Sequence, residues 1–359
     1  MARIIYAVAG EGFGHSSRSH LIGQRFIDAG HELMFVGSQK SLAYLKQNFG
    51  QRVREIFGLA FAYDDGHVDP VETLKRNLLK LPDANKQNDE LFKKHFKPFK
   101  PDLVVSDFEP FSAWWAFRNS VPFISIDHEH MLTLCKLKHQ GKNWFSRVTA
   151  GVVTESYYVG AVAYIIVNFF KAPLKIDAAV LAPPIIRPAV TTLTPTQSQH
   201  ILLYSTTGVG QKQLQNLLSK FTEHKFYIYG FNETGEYDNC IFRERSTDGF
   251  LADLAASRGV IASAGFSLIS ECMHLKKKML LLPLAGQYEQ LINAYYIEKL
   301  GLGISSENLN EPTIARFLKE IDKPLPDNKK ILWPNNENFF QILQTELNKL
   351  KKPISIAIQ

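Results

Sequence analysis

The chain has 359 residues, 45% of them apolar and 21% charged, with a formal charge of +6. That length suits two domains, and the composition excludes disorder, collagen and coiled coil. Three scattered cysteines, Cys135, Cys240 and Cys272, form no CxxC pair, which points to a reducing compartment and away from structural zinc. The N-terminus does not read as a signal peptide. The longest stretch without a charged residue or histidine, 156–170, falls short of the roughly 18–20 residues of a spanning helix. A soluble, cytoplasmic protein is expected. Residues 1–200 hold 23 Lys and Arg against 18 Asp and Glu, and residues 201–359 hold 18 against 17. The excess is uneven, +5 of the +6 falling in residues 1–200, but too weak for a nucleic-acid partner, and it leaves room for a local anionic one, a phosphate or a membrane surface.

Strand and helix patterns alternate from the start. Residues 3–9 (RIIYAVA) read as a buried strand, 10–14 as a glycine-rich loop and 17–29 as a helix closed by Gly30. A strand at 32–36, a helix at 39–49, a helical pattern over 74–100 and strands at 103–106, 122–126 and 163–169 follow. The Pro-rich 182–187, with Pro188 and Pro195, reads as a linker. The alternation then restarts. Strand 201–204, loop 206–210, helix 211–221 and strand 226–229 precede strand 260–262, helix 267–275, strand 279–282 and helix 290–300. The expected domains are 1–185, a linker over 186–199, a second domain over 200–335, and a helix and tail over 336–359 that pack back on the first. The pattern predicts two doubly wound, Rossmann-like α/β domains facing across a cleft, with ligands beyond the carboxyl ends of the strands.

The first loop, Gly10-Glu11-Gly12-Phe13-Gly14-His15, lets a backbone approach a ligand. It is no dinucleotide fingerprint, because His15 takes the place of the last glycine and no acid closes the next strand. It presents an imidazole suited to general-base work, or one that caps a helix. Asp107 follows strand LVVS directly and is placed to orient such a base, although alone it also reads as a cap. Asp127, His128 and His130 end strand SIDHEH and are either ligand contacts or a polar cluster at a turn. No D-x-D carboxylate pair occurs. In the second half, Ala264-Gly265-Phe266-Ser267 turns a strand into a helix whose N–H groups can hold a pyrophosphate. Glu271 lies within that helix, placed for ribose hydroxyls. Glu289-Gln290 opens the next helix, within reach of a sugar.

These stretches resemble the GT-B fold nucleotide-sugar glycosyltransferases, related to the MurG-type and UDP-glycosyltransferases, and close to microbial relatives with a GEGxGHxxR start. The resemblance covers most of the chain. It implies His15 as catalytic base and Asp107 as its activating acid. For the donor it implies Thr206, Thr207 and Gly208 near the diphosphate, Phe250 in a 248–251 loop at the nucleobase, Glu271 at the ribose and Glu289-Gln290 at the sugar. Gly12, Phe13 and Gly14, with Asp127, His128 and His130, fall on the acceptor side. The implied reaction is inverting transfer to an acceptor hydroxyl, without metal or resident cofactor, UDP-sugar being the favoured donor. The longer His-Cys-Gly-Trp signature of plant enzymes is replaced by Ser263-Ala264-Gly265-Phe266, so donor identity does not transfer from them. The GFGHSSR start also resembles nucleotide-sugar hydrolases of the same fold, in which water replaces the acceptor, and a non-catalytic sugar-nucleotide-binding module is a further alternative. Lys136, Lys138, Lys142 and Arg147 with Trp144 and Phe145, expected in a loop, suit a lipid or lipid-phosphate acceptor and peripheral contact with the inner face of a membrane, against the plainer reading of a solvated loop.

Overall fold

The computed structural model describes residues 1–357 apart from 11, 60–62, 65–66, 69, 139–143, 158–159, 197, 205–209, 233 and 245. The chain divides into two compact units. One comprises Met1–Ala62, Asp69–Arg187 and Asn335–Gln359; the other comprises Tyr63–Val68 and Pro188–Pro334.

The first unit is built on a seven-stranded parallel sheet. Its strands are β1 (Arg3–Val8), β2 (Glu32–Gly37), β3 (Val53–Glu55), β6 (Leu103–Asp107), β7 (Phe123–Asp127), β8 (Ala163–Val167) and β9 (Ala179–Ala182), in the order β3-β2-β1-β6-β7-β8-β9. Two short strands, β4 (Tyr63–Asp64) and β5 (His67–Val68), form a separate antiparallel pair. Strands β6, β7 and β8 are buried at every position, as a parallel sheet covered on both faces requires, and they read as continuous apolar runs rather than alternations. Strand order reverses between β1 and β6, where Val8 stands opposite Asp107. That reversal opens a crevice at the carboxyl edge, where the chain leaves β1 for its helix.

The first helix spans Phe13–Asp28, four residues earlier than the 17–29 expectation. Gly12 makes this possible as the N-cap, with φ of 89°. A side chain there would be strained by that φ and would press on the His15 ring, with 3.3 Å to Cδ2. His15 therefore sits in the first turn of a helix, not in a loop.

The second unit repeats the plan. Strands β10 (His200–Tyr204), β11 (Lys225–Tyr229), β12 (Gly235–Tyr237), β13 (Cys240–Phe242), β14 (Gly259–Ala262), β15 (Lys278–Leu281) and β16 (Gly303–Ser305) run in the order β12-β13-β11-β10-β14-β15-β16. Only the edge strand β12 is antiparallel. Ile201, Leu203, Phe226, Ile228, Ile261 and Phe317 lie in its core. Its reversal falls between β10 and β14, where Tyr204 stands opposite Ala262.

Two sequence expectations change here. Residues 248–251 are not a loop but part of the helix Thr247–Ala256, which Ser246 caps by accepting the Gly249 N–H at 3.1 Å. Trp144 and Arg147 likewise lie in a helix, Trp144–Tyr157, whose Trp144, Val148 and Val152 recur at four-residue spacing. Pro183–Arg187 leaves β9 and is pinned by Asn336, whose side chain accepts the Ile186 N–H and donates to its carbonyl, both at 2.7 Å. Cys135, Cys240 and Cys272 are free and buried.

Candidate active site

The carboxyl edge of the first sheet collects the side chains with the most chemistry. Asp107, the last residue of β6, is fully buried, and His15 keeps 15% of its side chain exposed. His15 Nδ1 lies 2.7 Å from Asp107 Oδ1. Arg18 donates to the same carboxylate through Nε at 2.9 Å and Nη2 at 2.6 Å, and Ser19 Oγ donates at 3.1 Å. His15, Arg18 and Ser19 stand at helical positions i, i+3 and i+4, so one face of one helix delivers all of them. Fixing Nδ1 on a carboxylate leaves Nε2 as the working nitrogen, the arrangement of an oriented general base.

Nε2 also has a partner. Glu129 Oε1 stands 3.3 Å from it, with 15% of the Glu129 side chain exposed. Burial alone would lower the His15 pKa, but the Glu129 and Asp107 carboxylates outweigh burial and raise it to about 10. Burial pushes Glu129 upward, and the imidazolium reverses this, holding it at about 2. The resting pair is thus an ion pair at neutral pH. The helix N-terminus disfavours a cation, so the two carboxylates must supply what holds the charge.

Asp127, His128 and His130 are buried and bonded among themselves and to backbone. Asp127 accepts from the His130 backbone N–H at 2.9 Å and lies 2.7 Å from its Nδ1, while Ser125 Oγ also donates to it. Burial opposes the Asp127 charge, and His130 overrides it, keeping the carboxyl below its ordinary range. His128 Nδ1 donates to the Val167 carbonyl at 2.8 Å. Sequence reasoning named these three and passed over Glu129 between them, and it assigned Arg18 no role. The spacing from His15 signalled Arg18. Nothing in the run Asp127-His128-Glu129-His130 singled out Glu129.

In the second unit, Ala264 is buried and Gly265, which has no side chain to offer, is the N-cap of the helix Phe266–His274. Among the described residues, nothing lies within 4 Å of a Cβ built at Gly265. Phe266, Ser267 and Glu271 are half-buried on this helix. Gln290, only 7% exposed, accepts the N–H groups of Ala264 at 3.2 Å and Leu284 at 3.1 Å through one side-chain oxygen. Asn293 Nδ2 donates to Glu289 Oε1 at 3.1 Å. Phe250 is edge-on to Tyr204 and Tyr229, with ring centroids 5.5 and 5.2 Å away. Thr206, Thr207 and Gly208 lie outside the described residues, as does the Phe13 side chain. Gly12, the N-cap, and Gly14, in the first turn, flank it. Among the described residues, no three His, Cys, Asp or Glu side chains gather as a metal set.

Known proteins resemble this chain in sequence and in fold. An uncharacterized glycosyltransferase of Methanosarcina mazei is 28% identical over 180 residues, 49% of this chain and 46% of that protein. The chain spans less than half the length of the curated relatives it matches. Among solved structures, CalG4, the calicheamicin glycosyltransferase, matches with a TM-score of 0.64 at 14% identity, covering 98% of this chain and 100% of that one. Arabidopsis thaliana UGT89C1, solved with UDP, matches with a TM-score of 0.57 at 13% identity, covering 98% and 96%. Those two likenesses are of fold, the GT-B architecture of two α/β sheets. The family model "Glycosyl transferase family 1" matches residues 2–322, and the chain belongs to that family.

Proposed function

We propose that this protein is an inverting glycosyltransferase that moves a sugar from a nucleoside diphosphate, UDP favoured, to an acceptor hydroxyl. The observation that carries the reading is the 2.7 Å contact of His15 Nδ1 with a buried, fully engaged Asp107. In the reaction, deprotonated His15 Nε2 takes the proton of the acceptor hydroxyl while its oxygen attacks the anomeric carbon. The bond from that carbon to the diphosphate oxygen breaks with its electron pair, so the configuration inverts. The N–H groups that open the helix Phe266–His274, after the N-cap Gly265, would stabilise the charge that develops on the leaving diphosphate. Glu271 accepts from the ribose, Glu289 meets the sugar, and Phe250 packs on the base. No metal or resident cofactor is invoked. The UDP preference is supported by the UDP complex of the UGT89C1 neighbour.

For the acceptor, the reading favours a lipid or lipid-phosphate glycan precursor met at the inner face of a membrane. Exposed Trp144, Val148 and Val152 on one helix, with Arg147 beside them, support it. No helix among the described residues is long and apolar enough to cross a membrane, so such contact would be peripheral.

The test is release of nucleoside diphosphate and glycosylated product from a panel of nucleotide sugars and acceptors, for the wild type and His15→Ala. Loss of transfer with nucleotide binding retained by calorimetry is expected. Unchanged turnover in His15→Ala overturns the reading.

A further inference from the structure

The working nitrogen of His15 is already occupied. Glu129 Oε1 stands 3.3 Å from Nε2, near the position a substrate hydroxyl must take, roughly 2.6–3.2 Å from the base that deprotonates it. We propose that Glu129 is a positioning residue for His15, holding Nε2 until an acceptor hydroxyl displaces it and so setting the pH at which the ring acts as a base. The inference rests on the transferase reading for its purpose, but its geometry stands without it.

The ring has little freedom to avoid Glu129. Asp107 is gripped by Arg18 Nε, Arg18 Nη2 and Ser19 Oγ, so the carboxylate that holds Nδ1 cannot turn. Holding Nδ1 fixes the direction of Nε2. Glu129 is delivered there by its neighbours: Asp127 and His130 bind each other across the turn after β7, and His128 is drawn to the Val167 carbonyl. Of the four residues 127–130, Glu129 is the one whose side chain reaches His15.

Among the described residues, the charged groups around the ring come from four elements. Asp107 on β6 and Glu129 after β7 favour the imidazolium. Arg18 on the helix of His15 opposes it and favours the Glu129 carboxylate. Asp127 on β7 works against the Glu129 charge. Tyr6 on β1 lies within the field of Asp107 and Arg18. With Glu129 in place the ring keeps its proton. When a hydroxyl replaces Glu129, one stabilising carboxylate is lost, the ring releases that proton to water, and Nε2 is then free to take the hydroxyl's proton. A neutral base thus forms where the acceptor already sits.

The test follows the His15 ring by nitrogen-15 NMR across pH in the full chain, for the wild type, Glu129→Gln and Glu129→Asp. The expected result is a wild-type midpoint well above neutral that falls by about one pH unit or more in Glu129→Gln, a tenfold or greater loss of proton affinity. Glu129→Asp should keep most of the elevation, separating charge from general damage to the fold. A Glu129→Gln midpoint equal to that of the wild type overturns the proposal, as does a wild-type ring that titrates near 6.5. The titration needs no substrate. Transfer activity absent beside the expected titration sinks the transferase reading alone, and transfer present beside an unmoved titration sinks the role of Glu129 alone. Where transfer is measured, the acid limb of kcat/KM in Glu129→Gln should move down in pH with the ring.

Discussion

Arg18 binds both oxygens of Asp107, Nη2 at 2.6 Å from Oδ1 and Nε at 2.9 Å from Oδ2. The pair is almost completely buried, with 6% of the arginine side chain exposed and none of the aspartate. A guanidinium matches a carboxylate in plane and spacing, so the pair fixes the orientation of the carboxylate as well as its charge. Removing one partner of a buried pair leaves the other charged and dry. Arg18→Ala should therefore destabilise the first unit by about 3–5 kcal/mol, read as a lower urea midpoint. Arg18→Lys should recover only part of the loss, because one ammonium cannot span both oxygens. An unchanged midpoint in Arg18→Ala would show that Asp107 is held by other means.

Asp107→Asn tests the other side of the same contact. The amide preserves shape but removes the charge that favours a proton on Nδ1, so the ring can settle in the wrong tautomer. Transfer should drop by about 10²–10⁴-fold, while nucleotide affinity, which the proposed function assigns to the second unit, should hold. A loss of nucleotide affinity as large as the loss of turnover would contradict that division.

The parts of this arrangement legible in the sequence are those tied to chain direction. Each parallel strand ends in a loop at the same edge, so the βαβ alternation put His15 after RIIYAV and Asp107 after LVVS at one edge of one domain, and the pairing of β1 with β6 makes them neighbours. Glu129 was not legible in the same way. The run Asp127-His128-Glu129-His130 offers four polar side chains at a strand end, and which one faces His15 depends on the Asp127–His130 bond across the turn, a tertiary detail without periodicity. Short strands such as β13 (Cys240–Phe242) and β16 (Gly303–Ser305) have three residues each, too few to show a period. Phe250 was assigned to a loop although Ser246 and Asp248 already give the start signal of a helix.

The ion pair also predicts how stability depends on pH. His15 is raised from its ordinary 6.5 to about 10, so its contribution is complete below pH 6.5, weakens above it and is lost as pH rises through about 10. Glu129 is lowered from its ordinary 4.5 to about 2, so its contribution is present above pH 4.5 and is lost as pH falls through about 2. The two overlap fully between pH 4.5 and 6.5. The Tm difference between wild type and His15→Gln should be largest there and shrink steadily toward pH 10. A difference constant from pH 6 to 10 would mean that the ring is neutral in the folded protein.

Gln290 separates fold from ligand in the second unit. Its side-chain oxygen is the acceptor for the buried N–H groups of Ala264 and Leu284, and Ala264 directly precedes Gly265, the cap of the helix Phe266–His274. Gln290→Ala leaves two buried donors without that partner, at about 1–3 kcal/mol each where no water reaches them. It also loosens the turn that aims the first N–H groups of that helix. Both stability and nucleotide affinity should fall. Glu271→Ala removes a half-buried carboxylate from the same helix, so its effect should be confined to binding, with about a tenfold or greater loss of nucleotide affinity and a Tm within a few degrees of the wild type. Calorimetry with UDP and thermal unfolding of both variants decide the matter. If Gln290→Ala binds UDP normally while unfolding early, the turn at Ala264 serves the fold alone; if Glu271→Ala binds UDP like the wild type, the ribose role fails.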